Sequence, residues 1–484
     1  MQRYIGLGCF VVLTFGTTAL ANEDARNVLF VAVDDMRVEL NCYGQTHVHS
    51  PNLDRLAARA TLFERAYCQQ AVCNPSRASL LTGLRPDTIH VWDLPTHFRQ
   101  NVPDVITLPQ IFMINGYHTQ CIGKIFHNWV QDDYQGDAPS WSVPQVMHYN
   151  SHGNDHALVE GDLPPNLSST PRTELRDVPD EAYFDGRIAN LAKEALGELS
   201  LNRKPFFLAV GFWKPHAQFN APKKYWDLYP EDSINLPENP LPPSGVPEIA
   251  LHDSREIKRG FKLQPGETID DSSVKSLRRG YYAAISYVDA QIGKVLDELE
   301  RLGLRENTIV VFWSDHGYHL GEHGLWAKTS NFELDTQVPL MIAIPGQQPR
   351  RVDSIVELLD IYPTLCGLCG LSPSGDLQGQ DLSKLCLGEQ QPLKNYAISQ
   401  HTRPAYPSAA TPLTAIGYSL RTNRFRYTEW RSVPSGEILA CELYDHQLDS
   451  RETMNLANEP DDATTQQIDE LKSQLQQCLT ASSD

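Results

Sequence analysis

Positive charge is scarce in this sequence. Lysine and arginine total 41 against 60 aspartates and glutamates, a formal net charge of −19 at pH 7. So large an excess of one sign repels nucleic acid and anionic membrane surfaces at long range, and neither is expected as a partner. An anionic substrate would have to be held by a few cations gathered inside a pocket. Also missing is any apolar run near the about 20 residues that a membrane-spanning helix needs. Internal repeats and low-complexity tracts are absent as well, which excludes solenoids and arrays. What remains, 41% hydrophobic and 21% charged residues over 484 positions, is an ordinary globular composition. It is long enough for one large domain and a smaller one.

At the N-terminus Arg3 precedes an apolar run from Ile5 to Leu13, followed by Ala19-Leu20-Ala21. Charge, apolar stretch and small residues in that order read as a secretory signal over residues 1–21, since the run is too short to anchor in a bilayer. The expectation is an exported protein: periplasmic, secreted or in a lysosome-like compartment. Cleavage would remove Cys9 and leave Cys73 with eight other cysteines, which could pair under oxidising conditions but need not. Cys366 and Cys369 sit in a helical pattern running from Ile355 to Leu368, with no second Cys-x-x-Cys beside them, so packing explains them better than zinc.

The stretch Cys73-Asn74-Pro75-Ser76-Arg77-Ala78-Ser79-Leu80-Leu81-Thr82-Gly83 carries the most chemistry. Pro75 suits a first helical turn and Thr82-Gly83 ends the run, so Cys73 falls where free N–H groups favour an anion. A thiolate nucleophile is one reading. The cysteine-phosphatase arrangement needs an arginine six positions on, where this chain has Ser79; Arg77 lies at four.

Several apolar runs end in polar groups, as buried parallel strands do where they meet a ligand site. Asn27 to Val33 ends in Asp34-Asp35, a pair that is costly beside a buried strand unless a cation neutralises it. Tyr117 to Ile122 leads to Gly123-Lys124 and His127, suited to anion binding and proton transfer. Pro205 to Phe212 leads to Lys214-Pro215-His216, and Thr308 to Trp313 to Ser314-Asp315-His316-Gly317. Asp315 can join Asp34 and Asp35 as a hard oxygen ligand with His316 beside it, and Lys328 follows near that strand end. His47 and His49 read as a surface loop. Helices are expected at Leu108–Ile114, Ala182–Leu199 and Val274–Leu302, with loops over 131–180 and a Pro-rich, irregular stretch over 222–265. Beyond residue 390 alternating strands suggest a small antiparallel sheet, closed by a helix over Gln466–Cys478.

The run Cys-x-Pro-Ser-Arg-x-x-x-Leu-Thr-Gly resembles the signature of type I sulfatases. The chain is similar to their iduronate-2-sulfatase branch across most of its length: Val33-Asp34-Asp35-Met36-Arg37, Gly123-Lys124 with Phe126-His127, Lys214-Pro215-His216, Ser314-Asp315-His316-Gly317, Gly321-Glu322-His323-Gly324 and Trp326-Ala327-Lys328. Tyr318-His319 and the segments 131–180 and 370–415 depart from it. The resemblance implies an α/β, alkaline-phosphatase-like fold, with a mixed, mostly parallel sheet between helices. A catalytic domain would span 22–390 and a C-terminal antiparallel-sheet subdomain 391–484. It implies a formylglycine made from Cys73 by a formylglycine-generating enzyme, and one Ca²⁺ held by Asp34, Asp35, Cys73, Asp315 and His316. Arg77, Lys124, His216 and Lys328 would contact formylglycine or sulfate, and His127 would move a proton. The substrate implied is a sulfated saccharide attacked from its end. A phosphomonoester or phosphonate hydrolase on the same scaffold and a non-catalytic sulfated-glycan-binding protein are the alternatives.

Overall fold

The computed structural model describes residues 25–127, 136–148, 173–261, 268–373, 375–389 and 394–481. The expected signal and much of the 131–180 loop region lie outside these residues.

A seven-stranded sheet organises the chain. Its strands are β1 (Asn27–Asp34), β2 (Thr61–Tyr67), β3 (His118–Gly123), β4 (Phe206–Pro215), β5 (Thr308–Ser314), β6 (Gln337–Ala343) and β7 (Arg350–Glu357), in the order β7-β2-β6-β5-β1-β4-β3. Only β6 runs against the others. The central β1 is buried along its whole length, which is why it reads as an unbroken apolar run. Its side chains alternate between two cores. Leu29, Val31 and Val33 pack with the helices Phe184–Ser200 and Asp271–Arg301. Val28, Phe30 and Ala32 pack with Cys73–Thr82, Leu108–Ile114 and Ile361–Cys369 on the other face.

A second sheet, β8 (Tyr396–Arg403), β9 (Ala415–Thr422), β10 (Phe425–Ser432) and β11 (Ile438–Asp445), is an antiparallel meander. Leu471 and Leu475 of the helix Asp462–Ala481 cover it, against Ile398, Leu420 and Tyr427. The meander docks on the segment leading into Cys73. The Gln400 N–H donates to the Gln69 carbonyl at 2.8 Å and the Ser399 hydroxyl to the Cys68 carbonyl at 2.6 Å.

Two expectations need correction. The Ile355–Leu368 pattern is not one helix: Ile355 and Val356 pair in parallel with Arg65 and Ala66 of β2, and the helix starts at Ile361. The end of the 131–180 region holds a strand, Thr173–Arg176, paired with Phe219–Pro222. No two of the nine described cysteines are bonded to each other. No described helix is long and apolar enough to cross a membrane.

Candidate active site

The carboxyl ends of β1, β3, β4 and β5 converge on the first turn of the Cys73–Thr82 helix, the usual place for a ligand in a parallel sheet. Every residue of that helix is buried. Its polar side chains are tolerated because each finds a partner: Asn74 donates to the Asp93 and Thr96 carbonyls at 2.8 Å, and Ser76 to the Asp315 carbonyl at 2.5 Å.

Arg77 is the deepest of them. Its five N–H groups all have acceptors: Asp315 Oδ2 (2.8 Å), Asp34 Oδ1 (3.0 Å) and the carbonyls of Lys124 (2.7 Å), Ile125 (3.0 Å) and Val33 (3.1 Å). It does not line the cavity above Cys73. Its place is beneath the floor, tying three strand ends together.

Above it lie three buried carboxylates. Asp34 Oδ2 accepts from Lys124 Nζ at 2.6 Å, and Asp35 Oδ2 from Lys328 Nζ at 2.8 Å. Burial alone would raise Asp34, but Lys124 and Arg77 outweigh it and hold the carboxyl well below its ordinary range. Asp35 goes the other way: burial, together with Asp34, Glu256 and Asp315, outweighs Lys328 and pushes it well up. Asp35 adopts a left-handed φ of 63°, held by its N–H to Asp315 Oδ1 at 3.0 Å and its carbonyl to the Tyr281 hydroxyl at 2.8 Å. Ala327 and Thr329, on either side of Lys328, are left-handed too (φ 73° and 98°), so strained backbone gathers at this site. Lys124 is set by a close approach of backbones: a Cβ on Gly211 would lie 1.9 Å from the Lys124 carbonyl oxygen.

His316 tests whether a metal fits. Its Nδ1 lies 2.9 Å from the Gly317 carbonyl and donates to it, so Nε2 carries the lone pair in the neutral ring. That lone pair faces Asp35 Oδ1 at 3.2 Å and Cys73 Sγ at 3.4 Å. Burial holds His316 below its usual pKa, which favours the neutral ring. With Asp35 ionised, its Oδ1 and the His316 lone pair are two acceptors facing each other, which a cation reconciles, and carboxylate oxygens with one imidazole fit a hard divalent ion. Asp35, Cys73, Asp315 and His316 offer ligand atoms within 4.8 Å of one another, and so do Asp34, Asp35, Cys73 and His216. A third cluster, Glu333, His446 and Glu452, is already neutralised by Arg421 and Arg426.

Cys73 Sγ is at the bottom of a cavity of about 590 Å³, which Lys124, His127, His216 and Lys328 also line. Burial pushes its thiol well up, so an unmodified Cys73 is a poor thiolate. Burial, aided by Lys124, holds His127 well below its ordinary value and therefore neutral. His216 lies with Nδ1 against the Ala217 carbonyl and Nε2 3.1 Å from Lys328 Nζ. Lys214 turns away, donating to the Gln218 carbonyl at 2.7 Å. His47, read as a surface residue, pairs with Glu39 at 2.8 Å. The cavity wall also contains Arg255, Glu256, Arg259 and Tyr406, none of which the sequence singled out. They lie in stretches without periodicity, and no spacing connects them to Cys73.

Residues 26–371 match the sulfatase family. The chain belongs to the sulfatase family. Residues 321–481 of this sulfatase also match the C-terminal region of N-sulphoglucosamine sulphohydrolase. Iduronate 2-sulfatase of Mus musculus is 36% identical to it over 90% of each chain. Among solved structures, a 2-O GAG sulfatase (TM-score 0.72, 22% identity, 95% of this chain and 93% of that one) shares the sulfatase's fold. So does the phosphonate monoester hydrolase of Agrobacterium radiobacter (TM-score 0.73, 22% identity, 94% and 96%).

Proposed function

We propose that this sulfatase removes sulfate from the end of a sulfated saccharide, with a 2-sulfated uronic acid as leading candidate and a sulfated algal or marine sugar as second. The observation that carries the reading is the convergence of Cys73, Asp35 and His316 at the floor of a cavity walled by Lys124, Lys328, His127 and His216. The 36% identity to iduronate 2-sulfatase supports the uronic acid.

Cys73 is proposed to be oxidised to formylglycine by a formylglycine-generating enzyme. The hydrated aldehyde supplies an attacking oxygen and a second hydroxyl through which sulfate can leave, which a serine lacks. Asp34, Asp35, Asp315 and His316, with residue 73, would hold one Ca²⁺, which supplies Lewis-acid stabilisation of a sulfuryl oxygen. The protein's own groups do the rest. Arg77, Lys124 and Lys328 face the three buried carboxylates and Glu256 of the cavity wall, so an added divalent ion would turn the set net positive toward an anionic ester. Lys124 and Lys328 present ammonium donors to the sulfuryl oxygens, and His216, hydrogen-bonded to Lys328, faces the same space. His127, neutral because of its burial, accepts the proton released when the hydroxyl of residue 73 expels sulfate. Arg77 acts from below, by fixing Asp34 and Asp315. Residues 1–21 are proposed as an export signal, 22–390 as the catalytic domain and 391–484 as the C-terminal subdomain.

The test uses enzyme from a host that performs the conversion. Nitrophenyl sulfate should be turned over well ahead of nitrophenyl phosphate. An oligosaccharide sulfated at its non-reducing end should be desulfated well ahead of one sulfated only internally. Equal rates on the two oligosaccharides would defeat the chain-end reading.

A further inference from the structure

We propose that Arg255 and Arg259 form a second anion site in the cavity, which selects substrates bearing a further anionic group beside the scissile sulfate. The proposal rests on the sulfatase reading and adds a recognition element to it. The two residues are four apart on consecutive helical turns, Arg255–Lys258 and Arg259–Phe261, a spacing that puts side chains on one face, and both line the cavity that contains Cys73.

Among the described residues neither guanidinium has a carboxylate partner. That sets them apart from Arg77, Arg85, Arg421 and Arg426, which are all ion-paired. The nearest acid in sequence, Glu256, is taken: its Oε2 lies 2.8 Å from Lys328 Nζ. A lone surface arginine would signify nothing, but Arg255 is half-buried and stacks over the Tyr406 ring at 4.4 Å. Stacking on the face of an arginine leaves its N–H edge for a ligand and fixes the plane of the fork. The ammonium groups of Lys124 and Lys328 are anchored on Asp34 and Asp35 at the floor, so the arginines form a separate patch of charge. A cavity of about 590 Å³ has room for a sugar ring with sulfate at one end and a second anion at the other. A guanidinium fork suits a carboxylate or a second sulfate.

Three probes distinguish these sources: the 2-sulfate of a methyl hexoside, the 2-sulfate of a methyl hexosiduronate, and a methyl hexoside 2,6-disulfate. Converted enzyme should show a kcat/KM at least about tenfold higher for one or both of the doubly charged probes, the effect expected of one charge-assisted hydrogen bond. Preference for the uronate assigns a carboxylate, and preference for the disulfate assigns a second sulfate. The double substitution Arg255→Gln with Arg259→Gln should bring that ratio toward one, mainly through KM, and lysine at both positions should restore part of it. A wild-type enzyme that favours neither doubly charged probe, or a double variant that keeps the preference at wild-type melting temperature, would overturn the proposal. Release of sulfate from none of the probes would instead count against the sulfatase reading. Calorimetric binding of the same compounds to wild type and double variant then decides the anion site by the same ratio.

Discussion

Replacing Arg77 should damage the scaffold before it touches the chemistry. The guanidinium is fully buried and spends all five N–H groups on two carboxylates and three carbonyls from the ends of β1, β3 and β5. Arg77→Met strips a partner from Asp34 and Asp315 and leaves the carbonyls of Val33, Lys124 and Ile125 without that donor. Breaking a buried ion pair costs about 3–5 kcal/mol, and each unsatisfied carbonyl about 1 kcal/mol or more. The sum, about 6–8 kcal/mol, is comparable with the entire stability of a typical domain, about 5–15 kcal/mol. Arg77→Met is therefore expected not to accumulate as folded protein. Arg77→Lys keeps the charge but has three donors radiating from one atom, so at least two bonds are lost. A loss of about 2–3 kcal/mol should lower the melting temperature by about 4–10 °C. The assay is thermal unfolding of protein in which Cys73 is unconverted, so oxidation of the cysteine does not enter. An Arg77→Met protein that melts within about 2 °C of wild type would refute the idea that this side chain ties the strand ends together.

Asp315→Asn should abolish Ca²⁺-dependent stabilisation and sulfate release together, whereas wild type at a Ca²⁺ concentration 100 times its Kd should gain about 2.7 kcal/mol; full activity in chelated wild-type enzyme would remove the metal from the account. Glu442 in the small sheet, where it accepts from Trp430 Nε1 and the Tyr444 hydroxyl at 2.8 Å, is pushed by burial from 4.5 up to about 7. A carboxyl with a raised folded pKa favours the folded state most at low pH, and that contribution is lost as pH rises from 4.5 through 7. Glu442→Gln should therefore gain stability on wild type by up to about 3 kcal/mol between pH 5 and 8, and parallel pH profiles of unfolding would contradict it.

The parts of the site carried by buried parallel strands were legible in the sequence. Continuous apolar runs betrayed β1, β4 and β5 because both their faces are covered, and the charges that end them stood out for the same reason. The end of the edge strand β7, Ile355 to Glu357, falls within the expected helical pattern because apolar Ile355 and Val356 fit either period, and its partner β2 lies almost three hundred residues earlier. Arg77 is recognisable as part of a motif, but its acceptors, two carboxylates and three carbonyls, are supplied by three separate strand ends. Arg255, on a single helical turn within a Pro-rich stretch, and Tyr406, in a loop, are 151 residues apart with no sequence pattern joining them, and their meeting is a property of the fold.

The chemical identity of residue 73 tests the central claim most directly. Protein from a host able to convert the cysteine is divided, one part digested for peptide mass analysis and the other assayed for sulfate release. The account predicts that residue 73 has lost its thiol for an aldehyde or its hydrate, and that activity across preparations rises in proportion to the converted fraction. Full sulfatase activity from protein in which residue 73 is entirely unmodified cysteine would contradict it.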